Sequence, residues 1–233
     1  MSEMMDLQEL AQYLNRDARE LSRMAERGQL PGHKVSGDWR FNRAEISQWI
    51  ESQLHGYSEA QLTDLESQTP VRDDPQLVIT PLLSQASIQA PLPATTKPSV
   101  LRELVGLAEH TGHIYDPDAI LQAIRQREEL RSTAVDQGVA IPHPRRPLPA
   151  ALGESVIAYG RTASGIPFGA SRGALTDIFF LVCCRDERTH LGALARLSRL
   201  LMRPGFVERL REASTPAEIA ALIETAEREL SGG

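Results

Sequence analysis

The spacing of apolar residues divides most of the chain into helices and strands. Apolar positions three or four residues apart predict helices over 99–112, 116–130, 190–205, 206–214 and 215–229. Continuous apolar runs predict strands in LVIT (77–80), ESVIAYGRT (154–162) and DIFFLVCCR (177–185). The last run is apolar on both faces, which is typical of a central strand. Strands alternating with helices predict an α/β domain from Leu77 onward.

A smaller, mainly helical segment precedes this domain. Two short helices are predicted on apolar faces formed by Leu7, Leu10, Ala11 and Leu14, then by Leu21, Met24 and Ala25. Asp17 can cap the second helix, a hairpin turns at residues 36–38, and a closing helix spans residues 43–53.

Between the two parts, residues 55–76 are polar and contain Pro70 and Pro75, which predicts a linker. Ser58 could cap a short helix within it. The predicted organisation is therefore a first domain over 1–54, a linker over 55–76 and a second domain over 77–233.

Composition narrows the function classes. A net charge of −6 and a pI near 5.6 argue against wholesale coating of nucleic acid. The two cysteines, Cys183 and Cys184, are adjacent in an apolar run, which predicts reduced core thiols. Neither a metal-binding Cys/His pattern nor a cofactor motif is recognised, so no metal and no cofactor is predicted. No apolar run reaches membrane-spanning length, so we expect a cytoplasmic protein without membrane insertion.

The first domain carries a specific set of motifs. They are L-x-E-L-A-x-x-L at residues 7–14, R-G-x-L-P at 27–31 and G-x-W-R-F-x-R-x-E-I-x-x-W-I at 37–50. This segment resembles the excisionase/MerR-type winged helix-turn-helix, which implies binding to double-stranded DNA.

Local charge fits this resemblance. Residues 16–43 carry seven basic and four acidic side chains, a net charge of +3. The candidate DNA-binding residues are Arg16, Arg19, Arg23, Arg27, Lys34 and Arg40, with Arg43 adding to the local charge. On the second helix, Arg16, Arg19 and Arg23 could reach base edges. The alternative is a solvated face on which arginines pair with Glu20 and Glu26. A homodimer would double the few phosphate contacts.

A second motif surrounds one histidine. In GVAIPHPRR, the run Val139 to Ile141 predicts a strand end, and His143 follows between two prolines that restrict the backbone. Taken alone, this pattern also fits a loop histidine without a chemical role.

The longer stretch AILQAIRQREELRSTAVDQGVAIPH resembles the phosphoacceptor motif of type-2 enzyme IIA domains of the bacterial sugar phosphotransferase system, in the fructose, mannitol and nitrogen-regulatory branch. The matching positions are Arg127, Glu128, Ser132, Thr133, Gly138, Ala140, Ile141, Pro142 and His143. The segments G-I-P-F-G-A at 165–170 and T-H-L at 189–191 also match. The resemblance implies an α/β fold with a mixed sheet flanked by helices.

It also implies a site. His143 would accept a phosphoryl group from an HPr-type phosphocarrier, Arg127 would stabilise that group, and His190 would donate a hydrogen bond. Thr133 and Ser132 could add hydroxyl or backbone donors.

Three departures from the family pattern keep alternatives open. Residues 134–137 replace a glycine-rich loop, Asp136 adds negative charge, and Pro144 stands where the family usually has glycine. We interpret the chain as a DNA-binding regulator with a phosphorylatable sensor domain. The alternatives are a phosphocarrier that passes phosphate to a IIB domain during sugar uptake, and an inactive IIA-like binding module.

Overall fold

The computed structural model describes residues 4–14, 16–67, 74 and 76–231. The chain divides into two compact units, Met1–Gln68 and Thr69–Gly233. Among the helices of the described residues, none has the length and apolar character needed to cross a membrane.

The N-terminal unit is a helix-turn-helix with a hairpin. Its elements are β1 (Met4–Met5), α1 (Leu7–Leu14), α2 (Ala18–Glu26), β2 (His33–Val35), β3 (Asp38–Asn42), α3 (Arg43–Gln53) and α4 (Glu59–Ser67). The three strands form an antiparallel sheet in the order β1-β3-β2. The predicted helices, hairpin and closing helix are confirmed.

Local interactions fix the ends of these elements. Asp17 caps α2 by accepting from Arg19 N and Glu20 N, and Asn42 caps α3 in the same way. The hairpin turns through Ser36 and Gly37, both with positive φ, as a tight two-residue turn requires. Leu10, Leu21 and Ile46 are fully buried and hold the three helices together.

The predicted linker is partly helical. Helix α4 begins after Ser58, whose backbone N donates to Gln61 Oε1 at 2.9 Å. Leu62 in this helix is fully buried. The short helix expected after Ser58 is therefore present, whereas Pro70 and Pro75 lie outside the described residues.

The C-terminal unit is an α/β fold. Its elements are β4 (Leu83–Leu92), α5 (Lys97–Glu109), α6 (Pro117–Leu130), β5 (Val139–Ala140), β6 (Val156–Ile166), β7 (Thr176–Cys183), α7 (Glu187–Met202), α8 (Phe206–Glu212) and α9 (Pro216–Ser231). The sheet order is β4-β6-β7-β5. Strands β6 and β7 are antiparallel, whereas β4–β6 and β5–β7 are parallel. The predicted mixed sheet flanked by helices is confirmed.

One predicted strand is wrong. The LVIT run does not form a strand, because the backbone N–H groups of Val78, Ile79 and Thr80 all donate to the carboxylate of Glu227 at 2.8 Å. Glu227 is fully buried on α9 and is also 3.5 Å from Arg196 of α7. Strand β4 begins three residues later, at Leu83, in a stretch that was not predicted as a strand.

The central strand β7 ends at Cys183, and Cys184 follows it directly. Both are reduced thiols outside any disulfide, and both are buried, as predicted. Burial raises the pKa of the Cys183 thiol to about 12, because the thiolate would lose its hydration.

Candidate phosphoryl-acceptor site

His143 lies just beyond the end of an edge strand. Strand β5 runs parallel to β7, with Val139 opposite Ile178 and Ala140 opposite Phe179. The alignment continues past the strand, because Val182 N donates to Pro142 O at 2.9 Å. The backbone on the N-terminal side of His143 is therefore fixed to the sheet, and the predicted strand end is confirmed.

The imidazole of His143 is held in one orientation. Its Nδ1 lies 2.7 Å from the carbonyl oxygen of Ile141, which can only accept a hydrogen bond. Nδ1 therefore carries the proton, and in the neutral ring the lone pair resides on Nε2. Nε2 is thus the nucleophilic nitrogen of this side chain.

His190 lies beside His143, as the motif predicted. It occupies the first turn of α7, where Asp186 caps the helix by accepting from Thr189 N at 2.9 Å. The two imidazole centroids are 5.2 Å apart, with the rings inclined at 60°. Both side chains are buried. Two groups separated by 47 residues are thus brought into one site.

Thr133 has a different contact from the one expected. Its backbone N donates to Glu128 Oε1 at 3.1 Å, and its hydroxyl donates to the same oxygen. The next two backbone N–H groups are also engaged, Ala134 with Ser132 Oγ at 3.2 Å and Val135 with Val139 O at 2.8 Å. In this structure these donors are thus engaged within the segment, and a contact between Thr133 and a phosphoryl group stays a prediction.

The segment instead aligns the histidine strand. Ile141 N donates to Thr133 O at 3.1 Å, and Ala134 forms an antiparallel bridge with Ala140. Ser132 Oγ donates to Phe168 O at 2.9 Å, which joins the S-T motif to the G-I-P-F-G-A motif. Two motifs that are distant in sequence therefore support the backbone before His143.

A charged pair that the motifs did not indicate completes this support. Glu128 Oε2 lies 2.7 Å from Lys97 Nζ, and the glutamate side chain is only 2% exposed. Lys97 also donates to Phe168 O at 3.2 Å. Glu128 is part of the R-E motif, but adjacent charges on a helix are typical of a solvated face, and Lys97 is outside the matched pattern.

Arg127 lies in the last turn of α6 and is half-buried. Its Nη1 donates to the carbonyl oxygen of Arg131 at 2.8 Å, just beyond the end of the helix. A contact between this guanidinium and a phosphoryl group on His143 stays a prediction.

The altered loop before β5 is closed by an arginine from α8. Gln137 and Gly138 adopt φ 64° and 78°. Arg211 forms a bidentate ion pair with Asp177, at 2.8 Å for each contact, and also donates to Gln137 O. A Cβ on Gly138 would lie 2.8 Å from Arg211 Nη2 and from Asp177 Oδ1, so glycine is required there.

In the N-terminal unit, most of the predicted DNA-binding residues are accessible. Four of them are exposed: Arg19, Arg23, Arg27 and Lys34. Arg40 is half-buried on β3. The placement of Arg16 on the second helix was wrong, because α2 begins at Ala18, after the Asp17 cap. The Arg16 side chain is 29% exposed and lies 3.9 Å from Glu20.

Comparisons with known proteins match both units. The family model "Phosphoenolpyruvate-dependent sugar phosphotransferase system, EIIA 2" matches residues 81–226. A second model, "Helix-turn-helix domain", matches residues 4–54. The first match includes His143, His190 and the whole sheet.

Relatives match the C-terminal unit. The PTS system fructose-specific EIIABC component of Bacillus subtilis is 33% identical over 147 residues, which are 62% of this chain but 23% of that protein. The nitrogen regulatory protein of Bradyrhizobium diazoefficiens is 32% identical over 148 residues, 62% of this chain and 94% of that protein.

A solved structure agrees with these matches. The nitrogen regulatory protein IIA-Ntr from Neisseria meningitidis superimposes with a TM-score of 0.56 at 25% identity, covering 62% of this chain and 97% of that one. With the motif around His143 folded as described, and with the family model covering more than half of the sequence, the chain belongs to the EIIA type-2 family of the phosphoenolpyruvate-dependent sugar phosphotransferase system and carries an N-terminal helix-turn-helix domain.

Proposed function

We propose that the protein is a cytoplasmic transcriptional regulator whose EIIA unit senses the phosphorylation state of the phosphotransferase system through His143. The observation that carries the proposal is the orientation of the His143 ring. With Nδ1 donating to Ile141 O, Nε2 holds the lone pair that a phosphoryl acceptor needs.

The proposed reaction is an in-line transfer. The lone pair of His143 Nε2 forms a bond to phosphorus while the phosphorus–nitrogen bond of a phosphohistidine donor breaks and returns its electron pair to the donor ring. The donor is an HPr-type phosphocarrier or its nitrogen-branch counterpart. His190, 5.2 Å away between ring centroids, would donate a hydrogen bond to the transferred group. Arg127 would supply positive charge to its oxygens.

The helix-turn-helix would deliver the output by binding duplex DNA. Its exposed Arg19 and Arg23 lie on the same face of α2, four residues apart, in the position of a recognition helix. Lys34 on the hairpin would contact a phosphate. Because one copy offers few cations, we expect a homodimer on DNA.

Phosphorylation would add close to two negative charges at His143 and so change the interactions of the sensor unit. This regulatory role is the main proposal because a DNA-binding fold shares the chain with the phosphoacceptor. A transfer role is the second candidate, favoured by the relationship to an EIIABC component. In that case His143 would pass the phosphoryl group to a IIB domain.

The deciding experiment combines phosphorylation with DNA binding. The full chain is incubated with phosphoenolpyruvate, enzyme I and HPr, and the modified residue is located by mass spectrometry. We expect one acid-labile, base-stable phosphoryl group at His143. Fluorescence anisotropy with a selected genomic DNA fragment is then measured for the phosphorylated and unphosphorylated protein, and we expect the two affinities to differ.

The controls separate the candidates. His110→Gln, which changes an exposed histidine of the same unit, should leave labelling unchanged. Equal DNA affinity in both states, with rapid passage of the label to a IIB domain, would establish the transfer role instead. Failure of every available phosphocarrier to label the protein would leave an inactive IIA-like binding module.

A further inference from the structure

The ion pair between Lys97 and Glu128 is more deeply placed than the surface pairs of the chain. The Glu128 side chain is 2% exposed, and its two oxygens have separate partners: Lys97 Nζ at 2.7 Å from Oε2, and Thr133 N at 3.1 Å from Oε1. A carboxylate removed from water is costly unless it is paired and hydrogen-bonded in this way. A role in solubility alone would not explain a charged pair in such a buried position.

A continuous series of hydrogen bonds leads from this pair to the phosphoacceptor. Glu128 accepts from Thr133, Thr133 O accepts from Ile141 N at 3.1 Å, and Ile141 O lies 2.7 Å from His143 Nδ1. The peptide groups of Thr133 and Ile141 thus relay the position of the glutamate to the imidazole. Ile141 connects the two ends of this series. Its N–H donates to Thr133, which is bound to Glu128, and its carbonyl accepts from His143 Nδ1.

Lys97 adds a second connection. Its Nζ donates to Phe168 O at 3.2 Å and lies 4.8 Å from the centre of the Phe168 ring. The same carbonyl accepts from Ser132 Oγ at 2.9 Å, one residue before Thr133. A Cβ on Gly169 would lie 2.9 Å from Ser132 Cβ, so this close approach depends on glycine. The Lys97 ammonium therefore contacts both acceptors of the Ser132–Thr133 segment: the Phe168 carbonyl, which accepts from Ser132, and the Glu128 carboxylate, which accepts from Thr133.

We propose that Lys97 and Glu128 form a positioning pair that keeps His143 in its Nδ1-protonated tautomer, in which Nε2 carries the lone pair for phosphoryl transfer. Neither residue contacts the reacting ring, so both act through Thr133 and Ile141. This inference rests on the proposed function for its kinetic consequence, whereas its tautomer consequence can be measured without any phosphoryl donor.

The test uses the full chain and ¹⁵N-detected NMR of the histidine rings. In the wild type, His143 should show one neutral tautomer, protonated at Nδ1. Glu128→Gln loses the charge that attracts Lys97, and Lys97→Met keeps the aliphatic stem without the cation. In each variant we expect a mixture of Nδ1- and Nε2-protonated rings, and phosphorylation by HPr slowed on the order of 10- to 100-fold.

The matched control is an exposed pair of the same unit. Glu224 and Arg228 lie 2.9 Å apart on α9, and Glu224→Gln removes a charge of the same type at the surface. This variant should keep the wild-type tautomer and rate. A wild-type ring protonated at Nε2, or an unchanged tautomer in both Glu128→Gln and Lys97→Met, would overturn the proposal.

A conservative pair covers the case in which those variants do not fold. Thr133→Ser keeps the hydroxyl that donates to Glu128, and Thr133→Val removes it. We expect the tautomer to be retained in the first and mixed in the second, and identical spectra for the two would contradict the positioning role. If the wild type shows the Nδ1-protonated ring but no phosphocarrier labels it, the proposed function fails while the positioning pair stands.

Discussion

The two units of the chain place their candidate functional residues in opposite ways. In the N-terminal unit, Arg19 and Arg23 project from α2, whose cap Asp17 accepts from backbone N–H groups two and three positions away, and Lys34 projects from the adjacent hairpin. In the C-terminal unit, His143 depends on contacts between distant segments, such as Ser132 with Phe168, 36 residues apart. The candidate DNA-binding surface thus depends on contacts between neighbouring residues, whereas the His143 site depends on contacts between segments that are distant in sequence.

This difference has consequences for mutations. Cations that act separately on a surface should contribute nearly additive free energies to DNA binding. Groups that share one hydrogen-bond network should show strong coupling, because removing one partner also displaces the next.

The largest effect is expected at His143. His143→Gln should abolish phosphohistidine formation, because an amide nitrogen has no lone pair of comparable nucleophilicity. DNA binding by the unphosphorylated protein should be unchanged, since the exposed arginines belong to the other unit. Mass spectrometry after the phosphorelay and anisotropy with DNA measure the two properties, and wild-type labelling of the variant would refute the site.

Arg127 should matter through its charge. Arg127→Ala is expected to raise the barrier of phosphoryl transfer by about 1–3 kcal/mol, the range for losing one charge-stabilising contact. Arg125→Ala is the control, because Arg125 is an exposed residue of the same helix. Single-turnover kinetics with purified phospho-HPr measure the barrier. Equal rates for both variants would show that Arg127 has only a structural role, as the donor to Arg131 O.

Gly138 tests how tightly the loop before β5 is assembled. Gly138→Ala should destabilise the protein by roughly 1–3 kcal/mol, because of its positive φ and because of Arg211 and Asp177 at 2.8 Å. Gly173→Ala has φ 70° but no neighbouring atom within 4 Å, so it isolates the backbone cost. In chemical denaturation, Gly138→Ala should lower the free energy of unfolding more than Gly173→Ala. The reverse order would show that the Arg211 side chain moves away at little cost.

Arg23 tests the local surface. Arg23→Ala should weaken DNA binding by about 1–3 kcal/mol if the guanidinium reads a base edge, and by less if it contacts only phosphate. Arg16→Ala should cost less, since Arg16 precedes α2 and is only 29% exposed. For one copy, the slope of log K against log salt should be about −3 to −5. A larger loss for Arg16→Ala would move the DNA contact away from α2.

The smallest effect concerns the two adjacent cysteines. Burial raises the pKa of Cys183 to about 12, so the reactive thiolate is scarce throughout the neutral range. Iodoacetamide at pH 7–8 should therefore modify Cys183 only after denaturant is added. Rapid modification of the native protein would show that the end of β7 opens readily.

Much of the architecture could be predicted because local patterns determine it. The Asp17 cap, the Ser36–Gly37 turn and the apolar β7 need only neighbouring residues. Strand β4 was missed because only part of it is buried and its pairing with β6 has two register shifts, so its sequence lacks regular alternation. The LVIT strand failed because Glu227, 149 residues from Val78, binds its backbone.

The site shows the same limit. The motif located His143 and His190, which the fold brings together. It did not show that the Thr133 hydroxyl donates to Glu128, nor that Lys97 completes that contact. These partners lie on three different segments, and the residue pattern of one segment does not indicate its contacts with the other two.

The carboxylate of Glu227 has a consequence for how such units combine into longer chains. By binding Val78, Ile79 and Thr80, it joins the segment that enters the EIIA fold to the helix that completes it. Entry and exit are therefore neighbours, a geometry that tolerates fusion of other domains at either side. The matched segment makes up 94% of one relative and 23% of another. In this chain, one buried carboxylate thus keeps the entering segment and the last helix of the EIIA unit side by side.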